Sequence, residues 1–272
     1  MIAELYAELR RSLLANEPCV LATVTGVGEE AGPATVLSAA LLARAGAPVL
    51  GTLGDAELDR VVARDALAAL ERGVSGTRHY GPRGEARRED VEVFLETFAA
   101  PARLIIFGAV DFTRALVEVA KVLGFVVTVC DARAVFATHL RFPTADEIVV
   151  DWPDRYLERV GPSLGPRDAV CVLTHDTKFD VPAVLGALAT NVGYIGAMGS
   201  RRTHEERWER LLEAGASEAG LRTRLMSPIG LDVGARTPEE TAVAIVAEIV
   251  ATRSGRAAHA LAPLRDGTGP IH

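Results

Sequence analysis

The densest concentration of anion-binding chemistry in the chain is Gly199-Ser200-Arg201-Arg202-Thr203-His204. A glycine turn that opens a helix leaves the first backbone N–H groups unpaired at the positive end of the helix dipole, and Ser200 or Thr203 can cap one of them. Two guanidiniums at the same place can grip a phosphate in bidentate fashion. An ordinary helix start with solvated arginines is the competing reading. The position favours the anion site, because the turn directly follows the strand-like run VGYIGAM.

A second turn, Gly108-Ala109-Val110-Asp111-Phe112-Thr113, also joins a strand-like run to a helix, the context of a glycine-rich dinucleotide loop. Only the first glycine is present. Val110 stands where a glycine would let a pyrophosphate approach the backbone, and Asp111 sets a negative charge where the phosphate should lie. Asp131, roughly twenty residues on, holds the ribose-binding position of such domains, with Arg133 close behind it. The pattern therefore predicts no NAD(P) in the usual pose. Further along, His175-Asp176-Thr177-Lys178 follows AVCVL. His175 is the one good proton-donor candidate, since the other histidines fall in polar or terminal stretches or, for His204, open a helix. In Ser227 to Glu240, Asp232 and Arg236 flank a glycine, and a structural Asp–Arg clamp is as good a reading as a ligand role. That segment ends in a strong helix start, with Thr237 as N-cap, Pro238 at the first position and Glu240 completing a capping box. Any one of these residues is equally explained as a turn former; their shared position is harder to explain that way.

That position follows from the elements. From Arg103 onward, strand-like runs (RLIIFG, FVVTVCD, DEIVVDW, AVCVLTHD, VGYIGAMGS) alternate with helical ones such as DFTRALVEVAKVLG, VPAVLGALAT and THEERWERLLEAG. Parallel strands need crossovers and helices supply them, so the expected fold class is α/β with a C-terminal doubly wound parallel sheet of Rossmann type. Ligands of such sheets bind outside the carboxyl ends of the strands, where all the turns above fall. Before Ala99-Ala100-Pro101 the pattern is mixed: a helix over residues 3–15, apolar strand-length segments, the helical ELDRVVARDALAALERG, a polar stretch VSGTRHYGPRGEARRED, and the alternating VEVFLETF. The expected organisation is a small N-terminal α/β domain over 1–100, the Rossmann-type domain over 101–256, and a flexible tail over 257–272.

Composition narrows the classes. The 272 residues are 49% hydrophobic and 24% charged, and no apolar run reaches the roughly 18 residues of a membrane span. A net charge of −7 offers no basic footprint for nucleic acid. Cys19, Cys130 and Cys171 sit in separate apolar runs without metal-ligand spacing, which predicts buried thiols and no metal site. The N-terminus lacks the pattern of a secretory signal, so a cytoplasmic protein is expected.

Taken together, RLIIFGA, VTVCDAR, ERVGPSLGPRDAVCVLTHDTKFD, YIGAMGSRRTHEER and SPIGLDVGARTPEETAVAIVAEIVA resemble the XdhC/CoxI family, accessory proteins of xanthine dehydrogenase and carbon monoxide dehydrogenase. The resemblance covers Arg103 to about Arg256. It implies a homodimer that binds molybdenum cofactor (molybdopterin) and passes it, sulfurated, to an apo molybdenum hydroxylase, with the 175–178 loop and the 199–204 turn around the cofactor. The candidate cofactor-binding set is Gly108, Asp131, Arg133, His175, Asp176, Lys178, Gly199, Ser200, Arg201, Arg202, Thr203, Asp232 and Arg236, with no catalytic residue. The chain departs from the family pattern at Glu57, which stands where a cysteine is usual, at Gly84-Glu85-Ala86-Arg87-Arg88, where a second cysteine is usual, and at Val110 and Asp111 in the G-A-G-H-V-G loop. A non-catalytic accessory protein is the leading reading. A nicotinamide-dependent oxidoreductase and a ligand-free dimeric interaction protein are the alternatives.

Overall fold

In Val91–Phe98 (β5) the apolar side chains Val91, Val93 and Leu95 are buried and alternate with more exposed neighbours, as a strand with one covered face requires. This strand sits inside a five-stranded antiparallel sheet of order β3-β2-β1-β5-β4, formed with Cys19–Val27 (β1), Ala40–Ala43 (β2), Leu50–Thr52 (β3) and Gly76–Tyr80 (β4). Helix Ala56–Arg72 (α2) covers one face, packing Leu58, Val62 and Ala66 on Val20, Ala22 and Val93. Its start is fixed by the Asp55 side chain, which accepts from the N–H groups of Glu57 and Leu58, and its end by Gly73 in the left-handed region. Helix Ile2–Leu14 (α1) lies on the other face through Leu5 and Leu9. The stretch that reads from sequence only as polar contains β4. Its Thr77, Arg78 and His79 are exposed on an edge strand, so the apolar signal of a strand is missing there although the pairing to β5 is regular.

The chain divides into two compact units, Met1–Ala100 and Pro101–His272. The computed structural model describes residues 2–86, 88–174 and 176–255, so His175 and the expected tail over 257–272 lie outside the described residues.

The second unit is the doubly wound parallel sheet that the strand–helix alternation predicts. Its strands are Arg103–Phe107 (β6), Val126–Cys130 (β7), Glu147–Val149 (β8), Ala169–Val172 (β9), Tyr194–Ala197 (β10) and Leu225–Met226 (β11), all parallel and ordered β11-β10-β9-β6-β7-β8. The helices are Asp111–Val122 (α3), Pro153–Val160 (α4), Thr177–Leu188 (α5), Arg201–Glu213 (α6), Glu218–Arg224 (α7) and Pro238–Arg253 (α8). Along β6, Leu104 and Ile106 enter the core formed with α3 and α8, while Ile105 and Phe107 enter the one formed with α4 and α5. Burial on both faces is why this strand reads as an unbroken apolar run. The chain enters the sheet at β6 in the middle, extends one way through β7 and β8 and returns to the other side of β6 at β9. The order therefore reverses between β6 and β9, and a crevice opens at their carboxyl ends.

Candidate functional site

At that reversal Gly108 adopts φ 112°, and a Cβ there would lie 2.8 Å from the backbone nitrogen of Thr174. Only glycine lets β6 and the end of β9 come this close. The turn that follows is held from below. Thr113 donates from Oγ1 to the Gly108 carbonyl at 2.5 Å, and the Ala109 N–H donates to Asp131 at 2.8 Å. Val110 occupies the N-cap of α3 and has no oxygen with which to cap it.

Asp131 is buried and its acceptor positions are filled. One oxygen accepts from the Arg133 N–H and Nε, each at 2.9 Å; the other accepts from Ala109 N–H and from Arg133 Nη2, both at 2.8 Å. A carboxylate has about four lone-pair sites, so none is left for a ribose hydroxyl. Burial opposes ionisation, but the Arg133 hydrogen bonds and the two backbone donors outweigh it and hold Asp131 below the ordinary carboxylate range. The residue at the ribose position thus ties the β6 turn to the end of β7.

Between these turns lies a cleft of about 390 Å³, lined by Ala109 to Phe112, by Arg133, Phe136 and Arg141 beyond β7, and by Leu173 and Met198 at the ends of β9 and β10. Its walls combine apolar surface with two cations, the usual make-up of a small-molecule site. The Arg133 guanidinium lies over the Phe136 ring at 4.6 Å. Arg141 donates from Nη1 to the Ala109 carbonyl at 2.8 Å and reaches Asp111 at 3.4 Å; the Asp111 side chain is 93% exposed, so that ion pair is weak.

Met198 leads from the cleft into the glycine turn that opens α6. A Cβ on Gly199 would stand 2.9 Å from Thr203, so the turn closes tightly there. Ser200 is the N-cap of α6 and accepts from the Thr203 N–H at 3.1 Å, and its hydroxyl is 2.9 Å from that of Thr203. Arg201 and Arg202 are exposed, Arg202 only loosely paired with Glu206 at 3.6 Å, and by position their N–H groups have no partner within the helix.

The remaining candidates are placed unequally. Asp176 caps α5 by accepting from the Lys178 N–H at 3.2 Å, and the Lys178 amine lies 3.2 Å from the same carboxylate and 4.8 Å from the Phe179 ring. That ring lies 6.0 Å from Arg133, which links this loop to the cleft. Asp232 and Arg236 are exposed and no ion pair joins them, so the clamp, one of the two readings of this pair, does not form. Their loop is held instead by Glu248 of α8, which accepts from the Gly230 N–H at 2.8 Å and from the Tyr194 hydroxyl at 2.6 Å.

A residue that holds the Gly199 turn in place is one that sequence reasoning does not single out. Arg207 is fully buried, donating to Asp180 at 3.1 Å, to the Ser227 hydroxyl at 3.2 Å and to the Met198 carbonyl at 2.7 Å. It fixes the end of β10, the start of α5 and the entry to the 227–236 loop at one point. Nothing in RTHEERWERLL distinguishes it from its solvated neighbours. The cysteines are the buried free thiols expected, and burial pushes Cys130 up to about 12, which leaves it an inert thiol.

A family model described as the XdhC Rossmann domain matches residues 104–249, and one described as the XdhC and CoxI family matches residues 12–81. A Bacillus subtilis protein, named as a probable xanthine dehydrogenase subunit, is 34% identical over 165 residues, 61% of this chain and 47% of its own length. PaoD of Escherichia coli, named a molybdenum cofactor insertion chaperone, is 34% identical over 85 residues, 31% of this chain and 26% of its own. The matched stretches are thus less than half of either relative. A crystal structure described as a xanthine dehydrogenase from Bacillus halodurans shares the fold, with a TM-score of 0.52 and 22% identity over 93% of this chain and 97% of that one.

Proposed function

The chain belongs to the XdhC and CoxI family, and on that premise we propose that it is a carrier that receives molybdenum cofactor, holds it at the carboxyl edge of the second unit, and inserts it into a molybdenum hydroxylase of the xanthine or carbon monoxide dehydrogenase type. The cargo is a pterin bearing a phosphate. The observation that carries the reading is the adjacency of two surfaces suited to its two ends. The 390 Å³ cleft, walled by Phe112, Phe136 and Met198, suits the ring system. The Gly199 to Thr203 turn, reached through Met198, offers unpaired N–H groups and two exposed guanidiniums to the phosphate.

The same geometry speaks against a nicotinamide-dependent oxidoreductase. Val110 and Asp111 occupy the pyrophosphate turn, and Asp131 has no acceptor position left for a ribose. As parts of the same proposal the protein works as a homodimer in the cytoplasm, where three unpaired thiols remain reduced. Among the described residues, no helix is long and apolar enough to cross a membrane.

The test is to purify the protein from a cell that makes molybdenum cofactor, release any bound pterin, and identify it by absorbance and fluorescence. Stoichiometric pterin supports the carrier. Protein free of pterin that also fails to take it up from a purified source overturns the reading.

A further inference from the structure

We propose that the outer face of α8 is a dimer interface, packing antiparallel against the same helix of a second copy of this chain about a two-fold axis near residues 246 and 247. The inference rests on the homodimer of the carrier reading and names its surface. A helix at the surface of a domain ordinarily turns charged side chains to water. α3, which shares a core with α8, does so with Arg114 and Glu118. α8 does not. Between Glu240 and Arg253 its only charged residue is Glu248, which is buried and bonded to Tyr194 and Gly230. The face left to solvent runs through Val243, 56% exposed, the half-buried Ala247, and Val250, 47% exposed, at the i, i+4, i+7 spacing that sets them in one row. Glu239 continues the row one turn before Val243 and Arg253 one turn after Val250, and both are exposed. An apolar row with no charge along its length belongs to a covered face.

The ends of the row decide what covers it. Among the described residues neither Glu239 nor Arg253 makes an ion pair. Arg253 lies 5.3 Å over the Phe125 ring, and burial and the nearby Arg167 guanidinium hold its pKa below the ordinary arginine value. Asp168, the carboxylate on that side, is already bonded to Arg103. One end of the row thus carries unneutralised positive charge and the other unneutralised negative charge. A row that reads acid, apolar, base is its own complement when reversed. Turned antiparallel, it sets Glu239 against the partner's Arg253 and Val243 against the partner's Val250, each twice by symmetry, and the two helix dipoles run opposed. A partner of one charge sign matches only one end of the row. The contact is one helix wide, smaller than the roughly 1,200 Å² of a tight complex, and implies a dimer of micromolar affinity.

The experiment measures self-association of the purified full chain by sedimentation equilibrium from about 1 to 100 μM, the range around that affinity. The proteins are wild type, Val243→Glu, Glu239→Arg, Arg253→Glu, and a chain combining Glu239→Arg with Arg253→Glu. Far-ultraviolet circular dichroism checks that each keeps the wild-type fold; Val243→Ser and Arg253→Gln, with smaller losses expected, replace a glutamate variant that does not. The two-fold axis counts every change twice, so the expected result is at least tenfold weaker dimerisation for each single variant. The combined chain, in which each reversed charge again meets its opposite, is expected to recover to within about threefold of wild type, a rescue that damage to the helix alone does not give. Single variants that dimerise as wild type does overturn this surface while the homodimer stands, and a combined chain no better than either single reversal overturns the antiparallel pairing. Wild type that is monomeric throughout overturns the interface and the homodimer together.

Discussion

Replacing Arg207 with Met is the sharpest test of how the Gly199 turn is built. Methionine keeps much of the apolar volume but removes the charge, the two nitrogens that hold the Met198 carbonyl and the Ser227 hydroxyl, and the one that pairs with Asp180. Asp180 is 1% exposed, so its carboxylate is left buried without a counter-charge. Breaking a buried ion pair by removing one partner is destabilising by about 3–5 kcal/mol, which for a unit of this length lowers the melting temperature by roughly 10 °C. Replacing both members, Arg207→Met with Asp180→Leu, removes the orphaned charge and should be less damaging than either single change, with a coupling of at least about 2 kcal/mol between the sites. Thermal and urea melts of the four proteins of the cycle decide it. The double variant, even if stable, should also lose phosphate affinity, because the Met198 carbonyl and the Gly199 turn are no longer held. Single variants that each lose less than about 1 kcal/mol, or losses that add without coupling, would refute the view that this pair organises the site.

Changing both Arg201 and Arg202 to Ala should weaken binding of a phosphate-bearing pterin at least tenfold while leaving the melting temperature unchanged, because exposed guanidiniums contribute little to folding; equal affinities, read by fluorescence titration, would reduce the pair to a solvated helix start. Calorimetric titration with NAD and NADP should give dissociation constants weaker than about 1 μM, and tighter binding would contradict the filled acceptor positions of Asp131. Asp131 is held below its unfolded value, so the stability it contributes is fully present above about pH 4 and is lost as pH falls further. Asp131→Asn should therefore be less stable than wild type at neutral pH, by about 2 kcal/mol, with the gap narrowing as urea melts are taken toward acid. Light scattering should report a dimer, and a monomer mass independent of concentration would remove that part of the proposal.

What can be read from sequence follows from which physical signals are local. β6, β7, β9 and β10 announce themselves as apolar runs because both faces of the sheet are covered, and Thr237 with Glu240 forms the capping box that the residue types specify. β4 escapes such a reading because its outward residues are Thr77, Arg78 and His79 and its pairing, not its composition, makes it a strand. The strand-end positions of Gly108, Asp131 and Gly199 are legible from the order of elements. The state of those groups is not. That Asp131 spends every lone pair on the protein depends on an arginine two residues away and a turn 22 residues earlier. Asp180 and Arg207, 27 residues apart, carry no mark of a partnership that exists only after α5 and α6 pack. Asp232 and Arg236 carry the opposite lesson, since complementary charges four residues apart in a loop have no helix to bring them together and stay in water.

Glu248 ties the site to the order in which the chain is made. It lies in α8, the last helix among the described residues, which packs against the first helix of its unit, and it supplies the acceptor for both Tyr194 on β10 and the Gly230 N–H. A ribosome releases β6 to β10 before residue 248 emerges, so the nascent sheet waits with the Tyr194 hydroxyl and the Gly230 N–H lacking their acceptor. Only when α8 closes over α3 does the 227–236 loop gain its anchor. A chain cut short before α8 exposes the apolar face of the sheet that Ala242, Ile245 and Ile249 cover.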